Sequence, residues 1–333
     1  MIPNMLLKYL SVVSGSCATR HVFKSFLRLS SSVAPQLPLW FNNFPKKAHP
    51  YMELARLDRP IGTWLVYLPS TWSIALAASP GCLPDFGMLA IFGVGAILMR
   101  GAGCTVNDII DRDIDMNVIR TKDRPIARGS VSTFNAISFL GLQLTGALSI
   151  LLQLNLEAIL IGGSCVGLVC VYPLFKRFTH FPQVMLGLTM NWGALMGYTA
   201  VAGFDWAICF PIYLTGVFQT MLFDSVYSFQ DIKYDKQIGV KSMPILLSGT
   251  SKWWLYVMAA AMSTSLATAG LTSGSGSVYF AGTGLTMLRI FYSVWKTNLD
   301  DPSSCFAYFK SNRDIGIFLF AVIALDRFLL SVV

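Results

Sequence analysis

An all-α fold, a polytopic membrane protein built as a bundle of about nine transmembrane helices, is predicted by three observations. Only 13% of the 333 residues are charged, where a soluble domain carries about 25%, and the mean hydropathy is +0.58. Apolar runs of about 18 residues or more recur along the chain, each long enough to cross a hydrocarbon core of about 30 Å. The basic residues between those runs fall on alternate links only.

The runs lie at roughly 60–78, 86–105, 133–153, 156–174, 182–203, 206–224, 253–271, 278–295 and 314–332. Lipid offers the backbone no hydrogen-bond partners, so spanning segments must be helices or a closed barrel. Runs this long, without period-two alternation, read as helices. The links at 153–156 and 203–206 are short, which makes those helix pairs antiparallel neighbours.

Ahead of the first run, residues 1–52 contain no Asp or Glu. They carry Lys8, Arg20, Lys24, Arg28, Lys46 and Lys47, and seven serines by Ser32. Basic, Ser-rich and acid-poor is the composition of a mitochondrial transit peptide. Residues 1–45 are expected to be that peptide or a disordered basic tail, and 46–333 the membrane domain.

The net charge of +8 does not point to nucleic acid, because the charge has a topological pattern. The links after the second, fourth, sixth and eighth runs carry Lys and Arg, from Arg112 to Arg313. Those after the first, third, fifth and seventh carry none. Arg56 and Arg59, before the first run, join the basic side. Such asymmetry places the basic face inside: a multi-pass protein of the mitochondrial inner membrane, with this face in the matrix. The seven cysteines show no Cys-x-x-Cys pair and the three histidines no ligand spacing, so neither forms a metal site or disulfide frame.

Acids share that face. Asp108, Asp111, Asp113, Asp115 and Asp123 follow the second run, and Asp224, Asp231 and Asp235 the sixth, eight of the 17 acids in the chain. Orientation needs only Lys and Arg, so topology leaves these carboxylates unexplained. If the second helix continues, Asn107, Asp108, Asp111 and Asp115 share one face, and Asp113 points elsewhere. Like charges so close need a cation between them, and Arg100 lies on the same stripe. Asp224, Asp231 and Asp235 share a face of the sixth helix, near Tyr227 and Ser228. Two such faces suit Mg²⁺, a hard cation held by carboxylates and substrate phosphates. A bound diphosphate would take its remaining contacts from Arg120, Arg124, Lys176, Arg177 and Lys241.

At these residues the chain resembles the UbiA superfamily of intramembrane aromatic prenyltransferases. The matching stretches are LDRPIGTWLVYLPSTWSI (57–74), MRGAGCTVNDIIDRDID (99–115), RTKDRPIARG (120–129), YPLFKR (172–177), NWGAL (191–195) and DSVYSFQDIKYDKQIGVKS (224–242). The stretches flanking the aspartates point to the ubiquinone-biosynthesis branch. The resemblance implies a nine-helix bundle open laterally to lipid, with polyprenyl diphosphate and 4-hydroxybenzoate as substrates. It implies a metal set of Asn107, Asp108, Asp111, Asp115, Asp231 and Asp235, with Mg²⁺ as cofactor. It implies catalytic roles for Asp111, Asp231, Tyr172 and Arg177, Tyr172 by facing the allylic cation. Substrate binding is expected from Arg59, Arg100, Arg120, Arg124, Lys176 and Lys241, with Arg59 on the carboxylate of the aromatic acid. The resemblance also implies other ubiquinone-biosynthesis proteins as partners.

Three departures from the family pattern lie near this site: Phe229 before Gln230, Arg128 in RPIARG, and MPILLSG at 243–249. They bear on which aromatic acceptor is used. Acceptors of the aminobenzoate, haem or naphthoate type are the alternatives within the superfamily. A polytopic carrier is the alternative outside it, and it would place ionisable groups near the midplane rather than at helix ends on one face.

Overall fold

The computed structural model describes residues 37–116, 121–178, 181–231, 243 and 251–330, and the side chains of all these except 170–178, 231 and 251. Among the described residues there are helices and no strand. Residues up to His49 and residues 50–333 are separate compact units. The first holds a 3-10 turn, Leu39–Asn43, and His49 Nε2 lies 2.9 Å from the Phe41 carbonyl oxygen.

The helices are α1 (His49–Leu54), α2 (Ile61–Leu76), α3 (Phe86–Ile110), α4 (Arg112–Asp115), α5 (Thr133–Leu151), α6 (Leu156–Phe178), α7 (Pro182–Met190), α8 (Trp192–Ala202), α9 (Trp206–Ser228), α10 (Ser251–Thr272), α11 (Ser277–Lys296) and α12 (Pro302–Leu329). Each of the nine apolar runs is thus helical in the described residues. By length and composition four of these helices, α3, α5, α9 and α10, can each cross a membrane.

The fifth run differs from expectation: it is broken into α7 and α8 at Asn191. The Asn191 amide donates to the Gly187 carbonyl at 2.7 Å and to Thr220 Oγ1 at 2.8 Å. Its backbone, at φ −96° and ψ 5°, leaves the helical region. An Asn side chain that bonds the preceding turn competes with helix propagation, which is why the break falls there.

α2 and α9 form the centre of the core. Trp72 is fully buried, and its indole N–H donates to the Gly316 carbonyl on α12 at 2.8 Å. α8 packs on α2 through Gly197. A Cβ there would fall 2.8 Å from the Ser70 carbonyl oxygen, so only glycine permits the approach.

The end of the bundle without basic links uses its acids as caps. Asp85 starts α3 by accepting from Met88 N, and Asp205 starts α9 by accepting from Ala207 N. Glu157 accepts from Phe204 N. Buried Asp326, near the end of α12, accepts from Gly276 N and Tyr279 N at the start of α11. Its neighbour Arg327 donates to Ser273 O, just past the end of α10. An acid at a helix start and a base at a helix end both match the helix dipoles.

Candidate active site

α3 ends at Ile110, and Asp111 is its C-cap at φ −88° and ψ 4°. The single turn α4 follows at once. The expected unbroken helix is therefore kinked at Asp111. Asp108 and Asp115 nonetheless meet one cation: Arg124 Nη1 lies 2.7 Å from Asp115 Oδ2 and 3.1 Å from Asp108 Oδ1. The charge between the carboxylates is thus Arg124. Arg100 points elsewhere, and its guanidinium packs on Gly62 in the first turn of α2. A Cβ at Gly62 would lie 2.6 Å from Arg100 Nε, which is buried without a hydrogen-bond partner.

Asp108 has a second partner. Arg56 Nη2 donates to Oδ1 at 2.7 Å and to Oδ2 at 2.9 Å. Asp108 is 1% exposed, while the two arginines keep 20% and 24% of their surface. Arg56 reaches it from an unusual backbone position. α1 ends with Leu57 N on Met52 O and Arg56 N on Glu53 O, the paired bonds of a helix end closed by a left-handed residue. That residue is usually glycine; here it is Arg56, at φ 58°. A side chain in this region costs about 1–2 kcal/mol. The charge-assisted bonds to Asp108 offset it.

Asn107 and Asp111 stand one turn apart, and neither side chain makes a hydrogen bond or ion pair among the described residues. They offer two uncommitted oxygen donors beside the arginines, which fits a hard divalent cation. Asp108 and Asp115, expected in the same ligand set, spend oxygens on Arg56 and Arg124. No group of three or more His, Cys, Asp or Glu with metal-binding geometry occurs among the described residues. The second acidic stretch, which would complete a set, lies largely outside them. Arg120, Asp235 and Lys241 fall outside the described residues altogether. The side chains of Tyr172, Lys176 and Arg177 on α6, and of Asp231 in the 3-10 turn Phe229–Asp231, do as well.

Arg59 Nε lies 3.1 Å from Asp58 Oδ2, and its side chain is 63% exposed. Burial pushes the Asp58 carboxyl up, against the opposing pull of Arg59 and Arg56. Arg128 is held by Glu53 at 2.9 Å. Thr105 Oγ1 donates to the buried amide oxygen of Gln143 on α5 at 3.1 Å, which fixes α3 beside α5.

Sequence reasoning missed Arg56 and Gln143. A buried glutamine in an apolar run is a readable signal, because a lone amide in hydrocarbon needs a partner. Arg56 gave none: it shares its short basic stretch with Arg59, and only the chain reversal separates their roles.

Residues 66–322 match the model of a family described as the UbiA prenyltransferase family. The chain is 48% identical over 287 residues to the mitochondrial 4-hydroxybenzoate polyprenyltransferase of Bos taurus, covering 86% of this chain and 77% of that one. The protein of that name from Arabidopsis thaliana is 44% identical over 300 residues, covering 90% and 74%. Among solved structures, the apo UbiA homolog from Aeropyrum pernix K1 aligns with a TM-score of 0.66 at 24% identity, over 79% of this chain and 97% of that one. The UbiA homolog from Archaeoglobus fulgidus bound to GPP and Mg²⁺ aligns with a TM-score of 0.65 at 18% identity, over 82% and 99%. At such identities these two likenesses concern the fold.

Proposed function

This chain belongs to the UbiA prenyltransferase family, and on that premise we propose that it transfers a polyprenyl group from polyprenyl diphosphate to 4-hydroxybenzoate, at the ring carbon ortho to the hydroxyl, in ubiquinone biosynthesis. The observation that carries this reading is the 48% identity, over most of both chains, to proteins named for that activity. The site chemistry supports it: free oxygen donors stand beside two partly exposed arginines at one end of an apolar bundle.

Asn107 and Asp111 from the first stretch, with Asp231 and Asp235 from the second, would hold Mg²⁺. When bound, Mg²⁺ neutralises the diphosphate and stabilises the charge that develops as it leaves. Asp108 and Asp115 act one step back, holding Arg124 and Arg56 where they face that charge. Arg120, Lys176, Arg177 and Lys241 supply further cations. Tyr172 presents its ring to the allylic carbon as the C–O bond breaks. Arg59 and Arg100 orient the carboxylate of the aromatic acid, so that its ortho carbon meets the allylic carbon and forms the new C–C bond. The ring proton then leaves to an oxygen base, and the departing diphosphate is at hand. The apolar helices keep water from the cation.

In this reading the basic links face the matrix side of the mitochondrial inner membrane, and residues 1–45 are a transit peptide or a disordered basic tail. The test is prenyl transfer in membranes carrying the full chain, with labelled 4-hydroxybenzoate and polyprenyl diphosphate, in Mg²⁺ or EDTA. Product that needs the metal, and is lost in both Asp111→Asn and Asp231→Asn, is expected. Product from an aminobenzoate but not from 4-hydroxybenzoate would overturn the acceptor. No product from any aromatic acceptor, in folded protein, would overturn the reaction.

A further inference from the structure

Arg289 lies on α11, seven residues before the helix ends at Lys296. At 1.5 Å per residue that places it about 10 Å from the end of α11, level with Ile315 on α12, beside the exposed Arg313–Asp314 pair. Its side chain is exposed, yet it makes no hydrogen bond or ion pair among the described residues. The groove beside it, between α11 and α12, holds about 190 Å³ and is lined by Leu285, Thr286, Ile315 and Phe318. None of these is charged, and the Thr286 hydroxyl already donates to the Gly282 carbonyl. Asp314, next to Ile315, is taken by Arg313 at 2.8 and 2.9 Å.

A cation at the edge of a lipid-facing apolar surface gains from a counter-charge. Its Cα–Cβ bond tilts towards the helix N-terminus, away from the charged end, so a straight side chain points deeper. One turn nearer that end, exposed Tyr292 and Trp295 mark the interface, with Lys296 Nζ 6.0 Å from the Tyr292 ring centre. An anion at headgroup level, with an apolar body that tolerates the walls, supplies that counter-charge.

We propose that this groove seats the phosphate of an anionic bilayer phospholipid. The Arg289 guanidinium takes the phosphate oxygens, and an acyl chain runs along Leu285, Ile315 and Phe318. The planar guanidinium matches phosphate geometry. Basic pockets between spanning helices select anionic headgroups. A soluble anion would gain nothing from the apolar walls.

The test uses the full chain purified in detergent, with dioleoylphosphatidylglycerol, dioleoylphosphatidylcholine or inorganic phosphate as probe. Lipid retention is read by native mass spectrometry, and thermal protection alongside. The wild type should retain phosphatidylglycerol about five-fold more tightly than Arg289→Gln. Arg289→Lys should retain most of that advantage, and phosphatidylcholine should not distinguish the variants. Prenyl transfer in lipid-free detergent should be the same in all three. Equal phosphatidylglycerol affinity in wild type and Arg289→Gln would overturn the proposal. So would equal protection by inorganic phosphate. A wild-type dimer that Arg289→Gln converts to monomer, with lipid retention unchanged, would replace the lipid by a second copy of this chain.

Discussion

At the end of the bundle without basic links, Asp85, Glu157, Asp205 and Asp326 each accept backbone N–H groups. At the charged end, Asp108 and Asp115 accept from arginine side chains, and Asp111 accepts from nothing among the described residues. The same residue type closes helices at one end and gathers arginine side chains at the other. Exposure marks the difference further. Asp326 and Arg327 are 2% and 6% exposed, so neither recovers water if the other is lost. Arg56 and Arg124 keep a fifth to a quarter of their surface, so they can return to solvent when Asp108 is removed. The far end thus fixes helix starts, and the near end places charge.

Arg56→Gly attacks this contrast most directly. Glycine suits the left-handed turn better than arginine, which offsets part of the cost of leaving buried Asp108 to Arg124 alone, so the melting temperature in detergent should fall only slightly. Prenyl transfer should fall about 100-fold, or ~2.7 kcal/mol of barrier, because Asp108 loses a buried charge partner. A large drop in melting temperature would instead make the network a structural clamp. Asp326→Ala is the mirror experiment. It strands two N–H groups at the start of α11 and leaves Arg327 uncompensated, so stability should fall by about 2 kcal/mol. Activity per folded molecule, assayed below the melting transition, should match wild type; a loss there would erase the distinction between the ends. Gly62→Ala sharpens the near end alone. The added methyl displaces the Arg100 guanidinium, and KM for the aromatic acid should rise about ten-fold, ~1.4 kcal/mol, with little change in stability. An unchanged KM would remove Arg100 from acceptor binding.

The smallest effect concerns pH. Asp301 starts α12 by accepting from the Ser303 hydroxyl and from Ser303 N and Ser304 N, which holds its carboxyl below the usual range. A depressed carboxylate contributes its stability above the unfolded pKa and loses it as pH falls through the folded one. Acid titration should thus loosen the first turn of α12 only below the ordinary carboxylate range, seen as faster amide exchange at Ser303 and Ser304. Asp301→Asn should remove the dependence.

The order of the helices was legible in the sequence, since each apolar run forms helix, the fifth as two helices broken at Asn191. Hydrocarbon permits few alternatives to a helix, so composition nearly dictates the element. The break at Asn191 was not legible, because it needs the Thr220 hydroxyl from α9 to hold the side chain that competes with the helix. The acidic stretch at 107–115 was found by its spacing, but the spacing could not say which acids were free.

By itself, then, the sequence determined the helical elements, the charged face and the first acidic stretch, because hydropathy, charge sign and i, i+4 spacing are local properties. Tertiary structure alone decided that Arg124 joins Asp108 to Asp115, that Arg100 turns to Gly62, and that Arg56 takes a left-handed turn to reach Asp108. Those pairings depend on which distant residues the packed helices bring within hydrogen-bond reach, and periodicity along one chain carries no record of that.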